Sequence, residues 1–271
     1  MISTADFEAA RPQLTAIAFR LLGSLHDAED AVQSTWLRTH GARTAEVRNS
    51  AAWLTTVVTR ICLDQLRIRS RRGEEPLQVD MLPGEQVAAD EDYLQREQIS
   101  RALLVLMDRL TPPQRVAYVL HDLFDVPFVD IARILGSSAV SAKKHASRAR
   151  QRVRDGEVVT AADVDAAVVD AFLAAAGGGD IATMIALMTE DCVRRVDASL
   201  VPPDTSTVTT GRREIAEETT LFADRIRACV ALSIDGRTVR ILAPGGHPLA
   251  LVALELRDNL ISRIDIARFR P

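Results

Sequence analysis

The spacing of apolar residues changes once along this chain, near residue 157, and that change limits the folds open to it. Before it, apolar residues recur every three to four positions, which gathers them on one side of a helix. After it, most segments alternate apolar and polar residues, as strands with one buried face do. Such a chain builds an all-helical part followed by an α+β part. The 271 residues give both parts enough material for a core, at ~100–200 residues per domain.

In the helical part, Leu14, Ile17, Ala18, Leu21 and Leu22 form one stripe, and Ala28, Ala31, Val32, Thr35 and Trp36 form another. Gly23-Ser24 between them supplies a helix stop and then a start. A third helix is expected from Ser50 to about Arg69, with Trp53, Leu54, Val57, Val58, Ile61, Leu63 and Leu66 on its apolar side. Residues 73–91, with Pro76, Pro83 and Gly84 among acids, read as a linker. Further helices are expected over about 92–109, 113–123, 128–135 and 139–154. In the second part, helices are expected over 164–176, closed by Gly177-Gly178-Gly179, and over 181–188. Strands are expected at 192–198, 228–235, 237–243, 248–257 and 260–269, with turns at Asp235-Gly236, Pro244-Gly245-Gly246 and Asp258-Asn259.

Cys62, Cys192 and Cys229 are odd in number and far apart, which argues against a disulfide framework or a zinc site and fits a reducing cytoplasm. No stretch approaches the ~18 apolar residues of a membrane span, and no signal peptide is visible at the N-terminus. A soluble, cytoplasmic protein is expected.

The formal net charge of −4 argues against nucleic-acid binding until it is divided along the chain. Residues 31–72 carry +6 and residues 133–154 carry +7, while 1–30, 73–132 and 155–271 carry −3, −8 and −6. Two basic blocks stand in an acidic background. The second block contains the sharpest local motif, Val129-Asp130-Ile131-Ala132-Arg133-Ile134-Leu135-Gly136-Ser137-Ser138 followed by Ala139 to Arg154. A short helix, a glycine turn and a second helix make a helix-turn-helix pattern. Ser138 can cap the second helix, whose N-terminal donors suit a phosphate. Ser141, Lys143 and Lys144 then fall in the first turns, where a recognition helix meets base edges. Arg148, Arg150, Arg152 and Arg154 extend the basic surface. The first block, Arg60 to Arg72, lies near Trp36 and Trp53, although both tryptophans sit on apolar stripes where core packing is the simpler role.

These residues carry a family resemblance. Leu21-Leu22-Gly23-Ser24, Asp27-Ala28-Glu29-Asp30-Ala31-Val32-Gln33 and Thr35-Trp36-Leu37-Arg38 resemble conserved region two of extracytoplasmic-function (ECF) RNA polymerase sigma factors. Ala52-Trp53-Leu54, Thr59-Arg60 and Leu63-Asp64-Gln65-Leu66-Arg67 do so as well. Leu110-Thr111-Pro112-Pro113-Gln114-Arg115, Asp130-Ile131-Ala132, Leu135-Gly136 and Ala146-Ser147-Arg148-Ala149-Arg150 resemble region four of the same family. The resemblance implies a subunit that binds core RNA polymerase and promoter DNA. It implies core contacts from Asp30, Gln33 and Arg38, and −10 element contacts from Arg48, Asn49, Arg60, Asp64, Arg67 and Arg71, with residues from about Arg43 to Ser50 forming the loop that receives a flipped base. It implies a −35 reader built from Ser138, Ser141, Lys143, Lys144, Ser147, Arg148 and Arg150.

The C-terminal part is similar to a SnoaL-like cone, a curved sheet with helices across it that encloses a pocket. Val169, Phe172-Leu173, Gly179-Asp180-Ile181, Leu187-Met188-Thr189-Glu190-Asp191 and Gly211-Arg212-Arg213-Glu214-Ile215-Ala216 carry this likeness. The expected organisation is therefore multidomain: two all-α domains, a region 2 helical bundle (1–72) and a region 4 helix-turn-helix (92–155), joined by an acidic linker (73–91), plus an α+β cone (156–271). In the family such an extension modulates activity, and a small-molecule ligand or a protein regulator would act there. No cofactor, metal or membrane is implied. Asp197, expected in a strand, and His247, expected in a turn, form no convincing acid–base pair, so ligand sensing or docking is preferred over catalysis. The competing readings are a helix-turn-helix regulator that works without polymerase and a small-molecule enzyme with a DNA-binding half.

Overall fold

The computed structural model describes residues 2–40, 49–72, 84–154, 164–201, 206–234 and 237–269. The chain packs as two units. The first comprises residues 1–75, 88–98 and 106–154, and the second comprises 76–87, 99–105 and 155–271.

The first unit opens with α1 (Thr4–Leu22), α2 (Leu25–Thr39) and α3 (Ser50–Arg72). Ser3 caps α1: its Oγ accepts from the Asp6 amide at 3.1 Å while the Asp6 carboxylate accepts from the Ser3 amide at 3.3 Å. Gly23 closes α1 at φ 79°, a left-handed conformation that glycine enters without steric cost. Ser24 then caps α2, so the expected stop and start are both present. Phe7, Leu14, Ile17, Phe19 and Leu21 of α1 are fully buried, as are Ala28 and Ala31 of α2 and Leu54, Val58 and Leu63 of α3. At about 1.5–3 kcal/mol per large apolar side chain, this shared interior is what holds the three helices together. Trp36 and Trp53 are half-buried, and Trp36 packs on Phe7 at 4.9 Å between ring centroids.

Gly84–Arg96 forms α4, inside the stretch that read as linker; residues 73–83 lie outside the described residues. Alanines and acids in 84–92 make an adequate helix, and Gly84 starts it rather than preventing it. The single helix expected over 92–109 is broken at Gln98, which has φ 51°, and resumes as α5 (Arg101–Met107). Then come α6 (Pro112–Tyr118), a π-helical turn (Val119–Leu123), α7 (Phe128–Leu135) and α8 (Ala139–Arg154). Gly136, at φ 64°, makes the tight corner between α7 and α8. Ile131, Ala132 and Ile134 of α7 are buried with Ala142, Ala146 and Ala149 of α8, whose small side chains let the two helices approach closely.

Within this unit α3 packs on α6 and α7, and buried polar contacts join them to the first helices. Arg115 of α6 has a side chain only 7% exposed. Its Nε donates to the Arg20 carbonyl of α1 at 3.1 Å and its Nη1 to Asp108 at 2.7 Å. Asp90 of α4 accepts from the Leu25 amide at the start of α2 at 2.6 Å. Arg69 of α3 reaches the Leu22 carbonyl at 3.2 Å and the Asp27 carboxylate at 2.7 Å.

Besides residues 84–87 of α4 and 101–105 of α5, the second unit contains α9 (Val164–Gly178), α10 (Ile181–Ala186), β1 (Met188–Val196), β2 (Val208–Thr210), α11 (Arg212–Thr219), α12 (Ala223–Arg227), β3 (Cys229–Ile234), β4 (Arg237–Leu242), β5 (Ala250–Arg257) and β6 (Leu260–Arg268). Among the described residues six strands form one sheet in the order β2-β1-β6-β5-β4-β3, with β1 and β6 parallel and the other neighbouring pairs antiparallel. Phe172, Ala176, Met184, Met188, Ile215, Leu242, Val252 and Ile264 join helices to sheet in one core. Asp258 and Asn259, at φ 54° and 63°, form the two-residue turn between β5 and β6, as their sequence suggests. The Asp235-Gly236 turn lies outside the described residues.

Three expectations change in this unit. Gly177 and Gly178 belong to α9, and only Gly179 closes it. The first strand begins at Met188 rather than 192 and ends before Asp197. Asp197 instead caps the 3-10 turn Ala198–Leu200, its carboxylate accepting from the Ser199 amide at 2.9 Å. The three cysteines are free; burial pushes the Cys62 thiol up to about 12 and the Cys192 and Cys229 thiols up to about 11.

Arg115→Met keeps the bulk of the side chain but leaves the Asp108 carboxylate and the Arg20 carbonyl without their donor. It should lower stability by about 2–3 kcal/mol, read from urea unfolding of the full chain.

Candidate nucleic-acid interface

Helix α8 divides into two faces by its own periodicity. Ala142, Ala146 and Ala149 turn inward, and Val140, Lys143, Lys144, Ser147 and Arg148 turn outward. The outward positions follow i, i+3, i+4 and i+7, one continuous strip of helix surface. The Ser138 hydroxyl accepts from the Ser141 amide at 3.1 Å, the cap expected from the sequence. The N-terminal donors that Ser138 does not satisfy and two adjacent lysines leave this end of α8 electropositive, suited to a phosphate or to base edges.

The structure separates the expected contact residues into two groups. Ser138, Lys143, Lys144, Ser147 and Arg148 are exposed. Ser141 is half-buried, and its hydroxyl accepts from that of Ser138 at 3.0 Å. Arg150 is half-buried and lies 3.5 Å from Asp122, whose carboxyl is raised above its ordinary range by burial and held back by the Arg150 charge. Arg152 turns back to the Gln114 side-chain amide oxygen, Oε1, at 2.8 Å. Sequence reasoning passed over Val140, which is 66% exposed on the lysine face; an apolar residue there can meet a thymine methyl in a major groove.

On α3, Arg60, Asp64, Arg67 and Arg71 are all exposed. Arg67 lies 3.6 Å from Asp64, and the Arg60 guanidinium donates to the Arg133 carbonyl of α7 at 3.0 Å. Asn49 accepts from the Ala52 amide at 3.0 Å and so starts α3, while Arg43 to Arg48 lie outside the described residues. On α2, Asp30, Gln33 and Arg38 are exposed together with Leu37, and Asp30 stands 3.8 Å from His26.

The second unit holds a cavity of about 380 Å3 between α9, the α11–α12 segment and the sheet. Its wall is mostly apolar, and its polar lining residues include Arg194, Glu218 and Arg225. Neither Asp197 nor His247 lines it. This is the helix-crossed sheet with an enclosed pocket that the SnoaL-like resemblance implies.

Residues 7–72 match the family Sigma-70 region 2, and residues 100–153 match Sigma-70, region 4. The "Probable ECF RNA polymerase sigma factor SigI" of Mycobacterium tuberculosis is 31% identical over 210 residues, covering 72% of this chain and 70% of that protein. The chain belongs to the ECF RNA polymerase sigma factors. Among these sigma factors, the "ECF RNA polymerase sigma factor SigJ" of Mycobacterium tuberculosis is 39% identical over 201 residues, covering 70% of this chain and 63% of that protein. The crystal structure of Mycobacterium tuberculosis SigJ aligns over 98% of this chain and 96% of that one, at 30% identity and a TM-score of 0.47. In sigma-factor terms, region 2 spans α1–α3 and region 4 spans α5–α8, while the α+β part lies beyond both matched stretches. No helix among the described residues of this sigma factor is long and apolar enough to cross a membrane.

Replacing Lys143 and Lys144 together by alanine should flatten the dependence of duplex-DNA affinity on salt. The slope of log affinity against log salt should fall by about 2, measured by fluorescence anisotropy of the full chain on a labelled duplex.

Proposed function

We propose that this chain binds core RNA polymerase and directs promoter-specific initiation of transcription. The observation that carries the reading is the pairing, in one chain, of a region 2 bundle with a region 4 helix whose outward face is basic. In this reading α2 meets the core enzyme through Asp30, Gln33 and Arg38. The outward face of α3, with Arg60, Asp64, Arg67 and Arg71, and the segment containing Arg48 and Asn49, take the −10 element. Ser138, Ser141, Lys143, Lys144, Ser147 and Arg148 read the −35 element, with Arg150 beside them and Val140 adding apolar contact. The protein acts in the cytoplasm as a transcription factor without catalytic activity of its own, and its α+β part modulates that activity through a ligand or a protein regulator.

The contact between Arg60 and Arg133 sets a condition on this function. Two elements named for positions 25 bp apart are separated by roughly 85 Å of duplex. A region 2 and a region 4 joined at 3.0 Å between Arg60 and the Arg133 carbonyl cannot each sit on its own element. The first unit therefore has to open on the promoter. Fluorescent dyes at positions 64 and 148 should move apart when holoenzyme forms on DNA, and unchanged transfer efficiency would remove the opening step.

Run-off transcription with core polymerase and a pool of genomic promoter fragments tests the function itself. Transcripts should start downstream of a shared pair of motifs. The Lys143→Ala, Lys144→Ala variant should lose initiation that depends on the upstream motif while keeping its affinity for core. Absence of any transcript, with tight binding of the chain alone to duplex DNA, would favour a regulator that works without polymerase.

A further inference from the structure

The cavity in the second unit is apolar except for a few charged groups, and these do not balance. Arg194 enters it from β1 with a side chain 6% exposed. Its Nη2 donates to the Thr209 hydroxyl at 3.0 Å and to the Glu218 carboxylate. Its Nε is buried and has no hydrogen-bond partner. Arg225 of α12 also lines the cavity, half-buried, with no side-chain ion pair among the described residues. Two guanidinium groups thus face one carboxylate, in a site walled by Phe172, Leu249 and Ile264. A ligand carboxylate would supply the missing negative charge, and guanidinium recognises that group through paired donors. The entrance side is marked by Leu221, which lines the cavity and is nevertheless 80% exposed, an apolar rim for an apolar ligand. The volume lies at the lower end of the range for small-molecule sites.

We propose that this cavity is a receptor site for an apolar monocarboxylate, its chain or ring against Phe172, Leu249 and Ile264 and its carboxylate between Arg194 and Arg225. The site specifies the ligand class for the modulating role given to the α+β part above. Binding would tie α12 to the β1 side of the cavity and fix its rim.

The test uses the full chain and two matched probes, decanoate below its critical micelle concentration and decan-1-ol, by titration calorimetry. Decanoate should bind about tenfold or more tightly than the alcohol, one charge-assisted contact apart. Arg225→Gln, at the partly exposed rim, should remove that preference while leaving the alcohol's affinity unchanged. Leu249→Trp should abolish binding of both probes, with its unfolding midpoint confirming that the domain is intact. Equal affinity for acid and alcohol, no binding of decanoate to the unmodified chain, or full retention of the preference in Arg225→Gln would overturn the proposal. Run-off transcription with and without decanoate separates the two claims. Binding with unchanged transcript yield leaves the site standing and removes the modulating role; no binding removes the site and leaves the modulating role to be carried by another contact.

Discussion

A buried guanidinium needs acceptors, and at Arg115 one of the two it finds lies on a distant part of the chain. One is the Arg20 carbonyl, a main-chain acceptor in the last turn of α1 that the helix itself does not satisfy. The other is Asp108, just before α6. Because the side chain is nearly closed to water, these bonds are not exchangeable for hydration at low cost, and they set where α6 sits against α1. The placement of α7 and α8 follows, since both pack from α6 onward. The contact of Arg60 with α7 is a downstream result of the same docking. Regions 2 and 4 are thereby packed within one unit, and these polar contacts fix how their helices meet.

The basic blocks look uniform in sequence and are not uniform in space. Arg69, Arg150 and Arg152, like Arg115 outside these blocks, hold the helices of the first unit together through carboxylates, a side-chain amide and main-chain carbonyls. Lys143, Lys144, Arg148, Arg67 and Arg71 remain outward. Net charge per segment therefore overstates the cationic surface left outward. Arg69, Arg115 and Arg150 take their acids, Asp27, Asp108 and Asp122, from the stretches of net negative charge.

What could be read from the residues depended on the range of the interaction. Gly23-Ser24, Gly136 with Ser138, and Asp258-Asn259 are local solutions to local backbone problems, and each stands where the sequence places it. The outward position of Lys143 and Lys144 follows from the inward alanines three to four positions away. The helices α11 and α12 were not anticipated, because segments of eight and five residues are too short to show an apolar stripe. The helix at Gly84–Arg96 was hidden by proline and glycine at its start and by acids along it, which also suit a linker. Asp197 stands directly after Val196 at the end of β1, so its capping role emerges only with the turn it closes. Arg194 was invisible as a site residue: an arginine in an alternating strand normally faces water, and only the approach of Thr209 and Glu218 shows that it does not.

Strand β6 lies between β1 and β5, and its parallel partner β1 begins more than seventy residues earlier. No hairpin can form that pair; everything from Met188 to Arg268 has to exist before the sheet can close around its middle. The helical unit needs nothing beyond Arg154. During synthesis at roughly 5–20 residues per second, the bundle and its basic helix can be complete for several seconds before the last central strand leaves the ribosome. Each nascent copy therefore passes through an interval in which the basic outward face of α8 exists and the domain that carries the cavity does not.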